Sequence, residues 1–325
     1  MVVIHKKPTV TEIFIDKITA TLPIKSSDHE AVLGGMHQLV DVGYGLFIRK
    51  PFYEYSVILG IGVANTPVLL QCKPYGYLSD WAFFRIEFNP STLGSEGLAE
   101  LKLRLDVLLP LGYESLIASG MLTRFDVTFD IQHVSIDQLV FRHPGFRLSK
   151  AYYRAGKTDS FVEDVVSLYI GGDSGARQFC FYDKVQQIKD WNSEHPLNQK
   201  PVPIIDTTRV EVTNKKRVPF KSLLNVPNQF EKLEIFTFHT VPQDDWQFSL
   251  FLIAARHQGL QKTLYMVPKY LRKKYIQRLR KSVLEQYDPI AQWSGWKGSV
   301  NALFYPATSH LKVDGVASLQ SIALA

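Results

Sequence analysis

Residues Leu168 to Lys184 read LYIGGDSGARQFCFYDK. A short apolar run, a Gly-Gly-Asp-Ser-Gly turn and a second run ending in Phe181-Tyr182-Asp183-Lys184 predict a β-hairpin. Side chains alternate across a strand, so Cys180, Tyr182 and Lys184 are expected on one face, with Phe179 and Phe181 on the other. The two phenylalanines can anchor the strand in a core. Tyr182 then stands out as either a nucleophile or an ordinary strand tyrosine.

Similar strand patterns surround the hairpin. Thr9 to Ile24 is rich in β-branched residues, and VDVGYGLFIRK, YEYSVILGIGV and TPVLLQC between 40 and 72 read as antiparallel hairpins. WAFFRIEFN (Trp81–Asn89), TRFDVTFD (Thr123–Asp130) and TTRVEVT (Thr207–Thr213) are further strands. Between the first two of these, Ser95 can cap a helix in which Leu98, Leu101, Leu105 and Leu108–Leu109 recur at helical spacing. His133 to Gly145 mixes helix and loop, and Trp191 to Pro203 reads as a polar loop. After about 219 the pattern turns helical. Asp244 or Asp245 caps WQFSLFLIAARHQ, Pro268 opens KYLRKKYIQRLRKSVLEQY, and Pro289 opens IAQWSGWKGSVNALF. The expected fold class is therefore α+β: a strand-rich body over 1–222, a helical part over 223–305, and a tail over 306–325.

With 325 residues, 46% hydrophobic and 21% charged, the chain has the composition of a globular protein rather than a disordered one. Cys72 and Cys180 form no CxxC pair, which fits a reducing, cytoplasmic setting. MVVIHKKPTVTEIFIDK is broken by lysines, reads as neither signal peptide nor anchor, and implies no membrane partner. Gly60 and Gly62 begin a dinucleotide fingerprint, but Asn65 stands where its third glycine belongs, and there is no Walker lysine loop. A nucleotide-driven helicase and an oxidoreductase are disfavoured.

Three strands repeat one small pattern: Arg85-Ile86-Glu87, Arg124-Phe125-Asp126 and Arg209-Val210-Glu211. Each arginine shares a face with the acid two residues on, and Asp130 joins Asp126 at i+4. If these strands are neighbours, one face gathers Glu87, Asp126, Asp130 and Glu211. Such carboxylates suit Mg²⁺ or Mn²⁺, which take oxygen ligands and offset charge in phosphoryl transfer. The same pattern also describes plain cross-strand ion pairs. Zinc is disfavoured, since the nine histidines make no H-x-H, H-x-x-H or HExxH spacing.

Arg256 to Lys281 holds nine Lys or Arg and no acid, so with a net charge of +6 the rest of the chain is net negative. Leu271, Tyr275, Ile276, Leu279 and Val283 make an apolar stripe there, leaving Arg272, Lys273, Lys274, Arg278, Arg280 and Lys281 for other faces. The absence of interspersed acids favours nucleic acid over a solvated helix or an anionic membrane surface. The stretch with Phe141, Arg142, Phe146, Arg147, Tyr152, Tyr153 and Arg154 offers rings that could stack on unpaired bases, unless they serve the core.

The order RIEFNPSTL (85–93), LTRFDVTFD (122–130), LYIGGDSGARQFCFYDKVQQ (168–187) and TRVEVTNK (208–215), followed by the basic helix, resembles the Rep_trans family. These are initiators of rolling-circle plasmid and phage replication, with relaxases of conjugative elements as relatives. The resemblance implies strongly curved, mainly antiparallel sheets in a horseshoe, origin recognition toward the C-terminus, and a divalent metal on Glu87, Asp126 and Glu211. It places Tyr182 as the nucleophile that becomes a 5′-phosphotyrosine, assisted by Lys184. Origin DNA is the implied partner, with a host helicase and a second copy of the chain beside it. Two positions depart from the pattern: Cys180 replaces an arginine and Gln187 an acid. Arg177 is the candidate substitute cation, joining Arg85, Arg124 and Arg209 as expected phosphate contacts. A relaxase and a non-catalytic DNA-binding regulator are the rival readings.

Overall fold

The computed structural model describes residues 6–76, 82–154, 164–196, 199–238 and 245–307. In chain order the strands are β1 (Thr9–Val10), β2 (Phe14–Leu22), β3 (Gly45–Phe47), β4 (Tyr53–Ile61), β5 (Thr66–Pro74), β6 (Phe84–Phe88), β7 (Met121–Gln132) and β8 (Leu139–Arg142). They continue with β9 (Ser149–Arg154), β10 (Asp164–Ile170), β11 (Arg177–Asp183), β12 (Thr207–Asn214), β13 (Val218–Pro219) and β14 (Glu234–Thr237). The helices are α1 (His29–Asp41), α2 (Pro90–Leu108), α3 (Gly112–Ser119), α4 (Lys184–Glu194), α5 (Trp246–Gln258), α6 (Leu260–Met266), α7 (Lys269–Leu279), α8 (Pro289–Trp293) and α9 (Trp296–Phe304). The fold is α+β with a large antiparallel sheet. The strong curvature expected with it is not borne out: among the described residues no sheet is strongly curled. Bulges are the usual means of bending strands; β10 carries one, where its register with β9 shifts between Val165 and Ser167. No helix among the described residues is long and apolar enough to cross a membrane.

The chain divides into two compact units, each discontinuous in sequence. One comprises Phe14–Val127, Lys215–Val226 and the described residues from Trp296. Its strands run in the order β3-β4-β5-β6-β2, followed by the first half of β7. Phe84, Ile86 and Phe88 are buried while Arg85 and Glu87 are half-exposed, which is the alternation expected of that strand. In α2, Leu98, Leu101, Leu105 and Leu108 form the buried stripe. The helix begins earlier than Ser95, at Pro90, and Gly94 divides it with φ +63°. Helix α1 was not foreseen, because Gly34 and Gly35 interrupt its middle. A Cβ on Gly35 would lie 2.9 Å from Leu108 Cδ1, so the glycine lets α1 lie close against α2.

The other unit comprises the described residues up to Ile13, Thr128–Asn214 and Pro227–Gly295. Here the second half of β7 is followed by β12, β11, β10 and the edge strand β9. The predicted hairpin is β10–β11. Gly171 turns it at φ +105°, where an added Cβ would come within 3.0 Å of the Arg177 carbonyl oxygen. Phe179 and Phe181 are fully buried, and Phe181 stacks on Phe141 of β8 with ring centroids 4.0 Å apart. The segment read as helix and loop over 133–145 thus contains a strand, paired with the equally unforeseen β14. Phe248, Phe251, Leu252, Tyr275 and Leu279 join Val140 and Phe236 in one core that fixes α5, α6 and α7 on this small sheet. Leu271 and Ile276 pack against it as expected, but α7 stops at Leu279, and Val283 is 40% exposed.

Candidate active site on a polar sheet face

With the phenylalanines in the core, the opposite face of β11 carries Cys180 and Tyr182. Cross-strand pairing arranges the side chains of this face in two rows. Tyr152, Ser167, Tyr182 and Arg209 form one row; Lys150, Tyr169, Cys180 and Glu211 form the next. Tyr182 is half-buried, and its hydroxyl donates to Glu211 Oε2 at 3.5 Å. Glu211 also accepts from Thr213 Oγ1 at 3.4 Å. The Tyr169 phenol is pushed above its ordinary range, first by burial and then by Cys180.

Lys184 does not continue the strand. Asp183 ends β11 and caps α4 by accepting from the Gln186 backbone N–H at 3.0 Å, so Lys184 opens a helix. Its Nζ nevertheless lies 5.9 Å from the Tyr182 ring centroid and donates to Gln187 Oε1 at 2.8 Å. The pattern Asp183 followed three residues later by Gln186 is a cap signature legible in the sequence. It moves the start of the expected 191–203 loop, because Trp191–Glu194 are the last turn of α4.

Glu87, Asp126 and Asp130 are held by arginines. Arg209 grips Asp130 with Nε at 2.7 Å and Nη2 at 2.9 Å. Arg124 grips Asp126, which is 2% exposed, through Nε at 3.0 Å and Nη2 at 2.6 Å. Glu87 lies 2.5 Å from Lys17 Nζ and 2.6 Å from Arg85 Nη2; Arg85 also donates to Gln71. Burial works against the Glu87 charge, but Lys17 and Arg85 outweigh it and hold the carboxyl below its usual range. Among the described residues no three His, Cys, Asp or Glu side chains gather as a metal site. Strand geometry gives one reason: residues four apart, such as Asp126 and Asp130, are separated by about 13 Å. Ligands of one Mg²⁺ must each lie about 2.1 Å from it. As arranged, these acids do not gather around a divalent ion; they sit in ion pairs, Arg85–Glu87 and Arg124–Asp126 within one strand and Lys17–Glu87 and Arg209–Asp130 between strands.

The basic residues divide in the same way. Arg272 donates to the carbonyls of Val267 at 2.9 Å and Tyr265 at 3.0 Å, closing the end of α6. Arg278 reaches Asp245 at 3.1 Å and covers the Phe248 ring at 4.0 Å. Arg280 and Arg142 share Glu234, and Arg256 bonds Asp137. Arg280 and Lys281 fall in a 3-10 turn after α7. Lys262, Lys269, Lys273, Lys274 and Lys281 are exposed, together with Tyr270 at 79%.

Arg177 sits on the phenylalanine side of β11, over the rings of Phe146 at 5.4 Å and Phe179 at 5.9 Å. It does not share the Tyr182 face. Of the aromatic-basic stretch, Phe141 is core and Phe146 packs on Phe179, while Tyr152 is 44% exposed. The side chains of Tyr153 and Arg154, and residues 155–157, lie outside the described residues. Ser167, Tyr169 and Lys150 were not foreseen at the site; only the strand register places them there.

No protein-family profile matches the chain, and no curated protein does. Among solved structures, the chain is similar to one described as the rolling circle replication initiator protein from Geobacillus stearothermophilus. The identity is 13% and the TM-score 0.40, over 78% of this chain and 99% of that one.

Proposed function

We propose that this chain nicks one strand of DNA through Tyr182, as an initiator of rolling-circle replication of the Rep_trans kind. The reading rests on the order of its sequence motifs. The observation that carries it is the Tyr182 hydroxyl donating to Glu211 at 3.5 Å, on a face whose next residue across the sheet is Arg209.

Tyr182 Oη attacks the phosphorus of a phosphodiester. The Oη–P bond forms and the P–O3′ bond breaks, leaving a 5′-phosphotyrosine and a 3′-hydroxyl that primes synthesis. The phenolic proton passes to Glu211 and then to the leaving O3′. Phenol and carboxyl differ by about 6 pKa units, about 8 kcal/mol, so a free phenolate is not an intermediate. Proton transfer accompanies bond formation instead. Lys184 beside the ring and Arg209 beside Tyr182 supply the positive charge that the developing phosphorane needs. The ester keeps the phosphodiester bond energy for rejoining. Exposed Lys269, Lys273, Lys274 and Lys281 contact the phosphates of the duplex near the nick.

Mg²⁺ or Mn²⁺ enters this proposal only as a requirement implied by the resemblance, and no step is assigned to it. The arginine-clamped acids favour a second reading, a DNA-binding regulator without cleavage. Incubation with the element's own origin DNA separates them. A covalent adduct that disappears in Tyr182→Phe supports nicking; binding without an adduct in any divalent ion supports the regulator. A relaxase would share the chemistry and cut a transfer origin instead.

A further inference from the structure

The polar face of β9–β11 continues past Tyr182 to the sheet edge. Along its row the next residue is Ser167, and beyond that Tyr152, on the edge strand. Tyr152 is 44% exposed and lies on the face opposite the core phenylalanines, so its ring is not needed to fill the interior. It meets Tyr169 at 5.4 Å in an edge-on contact, which holds it upright. The exposed Lys150 places Nζ 4.6 Å from the Tyr152 ring centroid.

We infer that Tyr152 and Tyr182, with Tyr169 bracing Tyr152 and Lys150 beside it, form a subsite for an unpaired nucleobase and its phosphate, on the DNA single strand that reaches the Tyr182 hydroxyl. The inference rests on the nicking reading for the identity of the strand. Two features of the geometry carry it. Strands lie about 4.8 Å apart, so Tyr152 and Tyr182, two strands removed, are separated by about 10 Å at the backbone. Ser167 is too small to fill the space between them. Two offset-stacked contacts of about 5 Å each fill the same span, which is room for one flat ring between two others. The second feature is charge. Lys150, exposed beside the Tyr152 ring, leaves it for the phosphate of the inserted nucleotide. Every base has a π-face, so the subsite fixes the position of the strand without reading its sequence.

The test uses the full chain carrying Tyr182→Phe, which removes the cleavage step, and a mixed-sequence single strand of about 12 nucleotides. The strand carries 2-aminopurine at one position, moved along it in successive preparations. Stacking predicts fluorescence quenching at one position. Tyr152→Phe should keep it, whereas Tyr152→Leu should abolish it and weaken binding about ten-fold. Unchanged quenching and affinity in Tyr152→Leu, or no binding of the single strand, overturns the subsite. Covalent adduct formation by the chain with Tyr182 intact is scored separately. A quenched strand without any adduct removes the nicking reading and leaves the subsite standing, while an adduct without quenching does the reverse.

Discussion

Tyr182 and Glu211 are diagonal neighbours: Tyr182 pairs with Arg209 across β11 and β12, and Glu211 pairs with Cys180, yet the phenol donates to the carboxylate at 3.5 Å. Diagonal partners in a sheet are within reach of long aromatic side chains. Had a bulkier residue stood at Cys180, it would have occupied the space beside Glu211. If Glu211 accepts the phenolic proton, Glu211→Gln should slow adduct formation about 10²- to 10⁴-fold, the usual contribution of a general base. Affinity for the uncut strand should hold, and equal loss of binding and adduct would point to structural damage instead.

Adjacent residues of β11 should respond in opposite ways. Phe181 is fully buried against Phe141, and Phe181→Ala should cost about 3–5 kcal/mol in a urea titration. Tyr182→Phe keeps the ring and should leave the urea midpoint almost unchanged while abolishing the adduct.

The cations after Arg256 should separate by salt dependence. Each lysine that contacts a duplex phosphate contributes about 0.9 to the slope of log K against log salt. Lys273→Gln with Lys274→Gln should flatten that slope with little change in thermal midpoint. Arg278→Gln should lower the midpoint instead, because Arg278 joins Asp245 to the Phe248 ring. Equal slopes for the lysine variant and the unaltered chain would remove Lys273 and Lys274 from the duplex contact.

His143 is 3% exposed, and its imidazole is held down to about 4, first by burial and then by Arg177. The unfolded chain therefore binds a proton that the folded one refuses once pH falls below 6.5. Stability should fall through the window from 6.5 to about 4, by about 2 kcal/mol at pH 5. Below that window the penalty from this group is constant. Denaturant titrations at pH 7 and 5 measure the loss, and His143→Gln should lessen the difference.

Divalent ions should leave the DNA-free protein unchanged. Any ion bound to the acids would stabilise the fold by mass action, but Arg124 and Arg209 already hold Asp126 and Asp130. The thermal midpoint should be the same in EDTA and in millimolar Mn²⁺; a rise that Asp126→Asn removes would show ion binding there. Adduct formed in EDTA would remove the ion requirement altogether.

Much of the strand architecture is legible in the chain, because burying one face of a strand imposes alternation. RIEF, TRFDVTFD and TRVEV each put their apolar residues in the core as their spacing requires. Legibility fails where a local signal competes with packing. The glycines of α1 hide a helix whose Val32, Met36 and Leu39 are buried. Asp183 ends the strand one residue before Lys184, although YDK by itself continues the alternation.

The sequence by itself determined which residues face outward beside Tyr182, since the two-residue period of a strand leaves no other choice once Phe179 and Phe181 are core. It also determined that Arg256 to Lys281 carries only basic charges. Only the tertiary structure decided what those charges do. Pairing register put Arg209 directly across from Tyr182 and Glu211 within reach of its phenol, and put Ser167 between two tyrosines. It also gave Asp130 to Arg209 on the neighbouring strand. Register depends on contacts between strands distant in sequence, and a half-buried carboxylate takes the nearest cation available; neither is written in any single segment.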